Sequence, residues 1–132
     1  MEQQAAAFKA LGEPTRLKLA ALLAGFGEAC VCQLAEAIGE PDFKVSRHLS
    51  VLRSAGLVVS RREGTWIYYR LAAAESSFLA SLHDCLRVVV AGQPVVQQGI
   101  DRLKHTGCGP PTGKGMPTDC GNASSKAAPA QP

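Results

Sequence analysis

The spacing of apolar residues along the chain predicts six helices and one strand pair. Ala6, Ala7, Ala10 and Leu11 make one apolar side around Phe8, so the first helix spans Glu2 to Leu11 and ends at Gly12. Pro14 fits the first position of a second helix, where a missing N–H costs nothing. That helix is apolar on most sides through Leu17-Lys18-Leu19-Ala20-Ala21-Leu22-Leu23 and stops near Gly25 or Gly27, which makes it central to the core. Leu34, Ala35 and Ile38 repeat at helical spacing in a short third helix, which begins at Cys30 or Cys32 and is closed by Gly39. Pro41 and Asp42 open a fourth, in which Val45, Leu49 and Leu52 fall at i, i+4 and i+7 and Gly56 follows.

The pattern then changes to strand type. Leu57–Arg62 and Thr65–Leu71 are rich in β-branched and aromatic residues and flank the turn signal Glu63-Gly64. Trp66 and Tyr68 share one face of the second strand, and Ile67 and Tyr69 the other; these aromatics are expected to pack the hairpin onto the body. A fifth helix follows from Ala73 to Val90, with Phe78, Leu79, Leu82, Leu86, Val89 and Val90 on its apolar side and Val88 adding to the final run. A sixth spans Val95 to Lys104, with Val96, Ile100 and Leu103 aligned.

The close succession of the third and fourth helices, with Gly39 between them, is the spacing of a helix-turn-helix, whose second helix enters the major groove. A hairpin with a basic tip directly after it makes a winged helix-turn-helix. The expected fold is therefore mainly α with one β-hairpin. Terminal helices that one small domain cannot cover point to a homodimer formed by the first and fifth helices, which also suits a palindromic site in double-stranded DNA. Residues 1–106 form this DNA-binding and dimerisation domain. Residues 107–132 read as a flexible Gly/Pro/Ser-rich tail without Leu, Ile, Val or aromatic side chains, too poor in apolar surface to order itself.

Composition narrows the class. The 132 residues suffice for one domain with a core, and 46% of them are apolar. No apolar run approaches the ~20 residues of a bilayer span, and the acidic, polar start Met1-Glu2-Gln3-Gln4 lacks the form of a secretory signal; a cytoplasmic protein with no membrane partner is expected. The net charge of +3 is modest, but between Pro41 and Arg70 stand Lys44, Arg47, Arg53, Arg61, Arg62 and Arg70 against Asp42 and Glu63, as a phosphate-facing surface requires. The expected DNA contacts are Lys44, Ser46, Arg47 and His48 from the fourth helix and Arg61 and Arg62 from the wing. Arg47 is the best candidate for a guanine edge, while His48 could equally cap or pack. Asp42 would repel phosphate unless it caps the helix, and Phe43 must be buried or touch a thymine methyl.

There are five cysteines, an odd number that argues against a disulfide framework. Cys30 and Cys32 put a soft-ligand pair at the start of the third helix, wired directly to the element that reads DNA. Cys85 lies on the apolar fifth helix and reads as core. Cys108 and Cys120 fall in the tail.

Four segments together, Phe8–Leu17, Cys30-Val31-Cys32, Val45–Val58 and Arg61–Leu71, resemble the ArsR/SmtB family of metal-responsive repressors in order and spacing over roughly residues 5 to 90. The resemblance implies a dimeric winged-helix repressor that leaves its operator when a metal or metalloid binds, and it implies a thiolate sensing site at Cys30 and Cys32. A third cysteine common in arsenite sensors is here Ala35. The cadmium and lead type adds cysteines from an N-terminal extension; Met1 stands so close to the first helix here that no such ligands are expected. The zinc type places Asp, His and Glu on the last helix; here His83 and Asp84 are adjacent and Pro94 falls where a second His would be wanted, so that site is not expected.

Soft thiolates select thiophilic centres, and trivalent arsenic or antimony favours three of them in a pyramid. The expected inducer is As(III) or Sb(III), held by Cys30, Cys32 and a third sulfur from Cys108, with Cys120 as substitute; no permanent cofactor is expected. Residues i and i+2 of a regular helix point about 200° apart, so either Cys30 precedes the first turn or binding unwinds that turn and shifts the recognition helix. A thiol at a helix N-terminus is expected to ionise readily. Alternatives are a cadmium, lead or zinc sensor of the same family and, less favoured because the ring would be strained, a switch in which the two thiols oxidise. An enzyme is not expected: a thiol oxidoreductase needs Cys-x-x-Cys beside a βαβ unit.

Overall fold

The computed structural model describes residues 1–105; the tail, with Cys108 and Cys120, lies outside the described residues. Nine elements follow in order: α1 (Glu2–Leu11), α2 (Pro14–Phe26), β1 (Ala29–Cys30), α3 (Val31–Ile38), α4 (Asp42–Ser54), β2 (Val58–Glu63), β3 (Trp66–Leu71), α5 (Ser77–Gly92) and α6 (Pro94–His105). The arrangement is the expected mainly helical one with a β-hairpin. α5 starts later than the apolar pattern suggests, because the Ser76 hydroxyl accepts from the Leu79 N–H at 3.1 Å and caps the helix there.

α2 is the hub. Leu19 through Leu23 are all buried, and the helix packs against α1, α4, α5 and α6. Pro14 takes its first turn, with the Glu13 carboxylate accepting from the Arg16 N–H at 2.9 Å. Leu34 of α3, Val45, Leu49 and Leu52 of α4, Val58 of β2 and Leu103 of α6 complete the fully buried set around it. Each such side chain contributes about 1.5–3 kcal/mol by leaving water, so the body is anchored from α2, α3, α4, β2 and α6.

α3 ends at Gly39, whose left-handed backbone (φ 72°) lets its N–H and that of Glu40 both reach the Ala35 carbonyl, at 2.9 and 3.1 Å. Three residues after Gly39 α4 begins, closing the helix-turn-helix.

The sheet has the order β1-β3-β2. β2 and β3 form the antiparallel wing, from Val58 opposite Leu71 to Glu63 opposite Trp66. β1 pairs with the other edge of β3, Ala29 opposite Tyr69 and Cys30 opposite Tyr68. The periodicity of the sequence does not announce this strand, and it decides the geometry of the thiol site.

Two apolar assignments are corrected. Cys85, expected in the core, is exposed: Leu82 and Leu86 carry the inward face of α5, and Cys85 falls beside that stripe. Val88, expected to extend the same run, is 71% exposed.

Candidate thiol site and nucleic-acid interface

Cys30 is the last residue of β1 and the N-cap of α3, with extended backbone (φ −91°, ψ 167°). Cys32 lies in the first turn. Because Cys30 stands outside the helix, the regular i, i+2 divergence does not apply, and the two sulfurs come within 3.2 Å. Bonds of about 2.3 Å from one centre, meeting near a right angle, place two sulfurs about 3.3 Å apart. The observed 3.2 Å is close to that separation. Of the two geometries open from the sequence, the structure has Cys30 ahead of the first turn.

A residue without an obvious role in the sequence holds this arrangement. Gln33, buried, accepts from the Cys30 N–H through Oε1 at 3.0 Å, while its own backbone N–H serves the Cys30 sulfur. This is a capping box with sulfur in place of the usual hydroxyl. Its signal in the sequence is the three-residue spacing from Cys30 to Gln33.

The expected readiness of this thiol to ionise is overturned for Cys30. Burial pushes its pKa up to about 11, outweighing the backbone N–H groups of Gln33 and Cys32 that favour the thiolate. Only 2% of the residue is exposed, and desolvation penalises the charged form more than a helix end of two turns rewards it.

Trp66 and Tyr68 do not pack the hairpin onto the main core as expected; Ile67 and Tyr69 on the opposite face do. Tyr68 is buried against Cys30, and Cys32 and Trp66 pack on that pair. The aromatic face of β3 is thus the wall of the thiol site. The buried Tyr68 hydroxyl has no hydrogen-bond partner among the described residues.

Among the described residues no cluster of three or more His, Cys, Asp or Glu could hold a metal ion. Those residues supply two sulfurs at this site. Cys108 and Cys120, considered for the third position, lie outside them.

The candidate DNA contacts divide into presented and engaged groups. Lys44 and Arg47 are exposed on α4, Lys44 with Glu40 at 3.2 Å, and Ser46 is half-buried. Arg47 makes no ion pair among the described residues. His48 is half-buried and its Nδ1 lies 3.3 Å from Arg16 Nη1, which favours the packing role. Arg62 is exposed on the wing, reaching, among the described residues, only the Gly64 carbonyl at 3.4 Å. Arg61 is turned back: its Nε and Nη2 donate to both oxygens of Glu28 at 2.8 and 2.9 Å, and Nη1 pairs with Glu63. That pairing holds the Glu28 carboxyl below its usual range. Asp42 occupies the first turn of α4, whose N-cap is Pro41. Phe43 is 67% exposed, so burial is not its fate. Neither Glu28 nor the wall formed by Trp66 and Tyr68 stood out in the sequence, because only the pairing of β1 with β3 brings them to the sulfurs.

Comparison with known proteins gives consistent relatives. The sequence profile described as "Bacterial regulatory protein, arsR family" matches residues 13–60. The chain is 42% identical over 83 residues to the arsenic resistance transcriptional regulator ArsR2 of Pseudomonas putida, covering 63% of this chain and 70% of that one. It is 42% identical over 77 residues to the arsenical resistance operon repressor of Escherichia coli, covering 58% and 66%. Among solved structures it is similar to the homodimeric winged helix-turn-helix DNA-binding domain of a possible ArsR-family transcriptional regulator from Mycobacterium bovis. The TM-score is 0.57 at 40% identity, over 68% of this chain and 80% of that one.

Proposed function

Because this chain belongs to the arsR family of bacterial regulatory proteins, DNA-binding transcriptional repressors rather than enzymes, we propose that it leaves its operator when trivalent arsenic or antimony is captured by Cys30 and Cys32. The observation that carries the reading is the 3.2 Å separation of the two sulfurs, which suits a small centre with short bonds to thiolates. Arsenous acid is neutral and brings hydroxyl groups. Each thiol that replaces one forms an As–S bond and sends its proton off with the departing hydroxyl as water. The uptake needs no net charge in a buried site. The third hydroxyl is replaced in the same way by Cys108, with Cys120 as substitute, since the metalloid favours three sulfurs.

The DNA-binding form is a homodimer acting in the cytoplasm. Exposed Phe8 on α1, 59% accessible and edge-on to Phe78 of α5 at 5.7 Å, and exposed Val88 on α5 support pairing through these two helices. α4 then enters the major groove with Lys44, Ser46 and Arg47, His48 lies beside them, and Arg62 and Arg61 serve phosphates from the wing.

The test is titration of an operator-bound sample with arsenite, antimonite, cadmium, lead, zinc and peroxide. Release by arsenite or antimonite at the lowest concentration, abolished in Cys30→Ser and in Cys32→Ser and weakened in Cys108→Ser, is the expected result. Arsenite that still releases the double serine variant overturns the sensing role of the pair. Release by cadmium, lead or zinc in preference to arsenite overturns the choice of inducer.

A further inference from the structure

Residues directly opposite one another in a sheet place their side chains on one face. Cys30 is opposite Tyr68, and Tyr68 is opposite Arg61. Cys30, Tyr68 and Arg61 therefore form a single row across all three strands, from the thiol site to the middle of the wing. The row is in contact throughout: Cys30 and Tyr68 are buried against each other, and the Arg61 guanidinium lies over the Tyr68 ring, 4.7 Å from its centroid. Glu28 stands two residues before Cys30, and its two hydrogen bonds to Arg61 pass over β3 and close the row into a loop. Exposed ion pairs are ordinarily weak, but a bidentate Arg–carboxylate pair with a second carboxylate and a ring beneath it is the favourable exception.

Arg61 thus has two competing anionic partners. One is the internal pair of Glu28 and Glu63; the other is the phosphate that a wing arginine meets on DNA. Building on the arsenite reading above, we propose that Glu28 is a positioning residue that couples the thiol site to the wing. Capture of the inducer by Cys30 and Cys32 fixes the end of β1, holds Glu28 over β3, and favours the internal pair over the phosphate. The inducer then withdraws a cation from the operator, which is a differential interaction of the kind a two-state switch requires. The route runs through the sheet rather than through an unwound α3.

The experiment is a double-mutant cycle on the full-length protein. Operator affinity is measured with and without arsenite for wild type, Glu28→Gln, Arg61→Gln and the double variant. Arsenite binding is followed separately by the fluorescence of Trp66, the chain's one tryptophan, beside the sulfurs. In Glu28→Gln, arsenite is expected to bind with wild-type stoichiometry, operator affinity without it to be at least that of wild type, and the arsenite-induced loss of affinity to shrink several-fold. The double variant should lose no more of the effect than either single one, as residues acting as one unit do. Arg61→Lys, which keeps the charge but not the fork, repeats the test should Glu28→Gln fail to fold. The coupling role is overturned if Glu28→Gln keeps the wild-type factor, if it no longer binds arsenite, or if the two single effects simply add. Wild-type protein that arsenite does not release refutes the sensing reading itself, and the coupling falls with it.

Discussion

Arg16 of α2 donates to Nδ1 of His48 on α4 across 3.3 Å, tying the central helix to the recognition helix. A guanidinium can only donate, so Nδ1 is the acceptor in this contact. Arg16 also donates from Nε to the Ala10 carbonyl at 2.8 Å, and Glu13 lies 4.0 Å from the same imidazole nitrogen. His48 is part of the joint between α1, α2 and α4. His48→Ala should lower the free energy of unfolding by about 1 kcal/mol, seen as a shifted urea midpoint. Arg47→Ala should leave that midpoint within about 0.5 kcal/mol and weaken operator binding by about 1–3 kcal/mol. The opposite pattern would mean that α4 faces DNA with a different side.

α6 lies so close to α2 that a Cβ added at Gly99 would meet Cδ2 of Leu22 at 2.7 Å. Leu22 is fully buried. Gly99→Ala should therefore destabilise by about 1–3 kcal/mol through overpacking. Gly92, at the end of α5, has nothing within 4 Å of such a Cβ, and Gly92→Ala should be neutral or raise stability by up to about 1 kcal/mol. Thermal or urea unfolding of the two variants checks the contrast; equal effects would disprove the close approach.

Burial raises the Cys30 pKa from 9.0 to about 11 in the folded protein. The unfolded chain therefore loses this proton first, and folding stability falls as pH rises. The contribution is present in full below pH 9 and is lost progressively as pH rises through about 11. Its size is on the order of 2 kcal/mol. Urea midpoints at pH 8 and at alkaline pH should separate more for wild type than for Cys30→Ala. Burial also raises the Tyr68 hydroxyl, so a residual alkaline loss should remain in the variant. Parallel slopes in the two proteins would place Cys30 in a more solvated site than the structure does.

What the chain determines by itself is whatever depends on neighbours in sequence. Helical periodicity, Pro14 at a first turn, Gly39 and the Glu63-Gly64 turn act through local backbone preference, so α1 to α4 and the wing are legible within a few residues. The proximity of Cys30 and Cys32 to a DNA-reading helix is legible for the same reason. Only the tertiary structure decides what those cysteines become. β1 is two residues long and has no periodicity to detect; it exists because β3, far along the chain, offers an edge with unpaired backbone groups. That pairing takes Cys30 out of the helix and brings its sulfur to Cys32. It also buries the thiol deeply enough to reverse the expected ease of ionisation and sets Trp66, Tyr68 and Arg61 beside it. Exposure on α5 is likewise a property of packing, since Cys85 and Leu86 are adjacent in sequence and only the docking of the helix sends one inward and the other out.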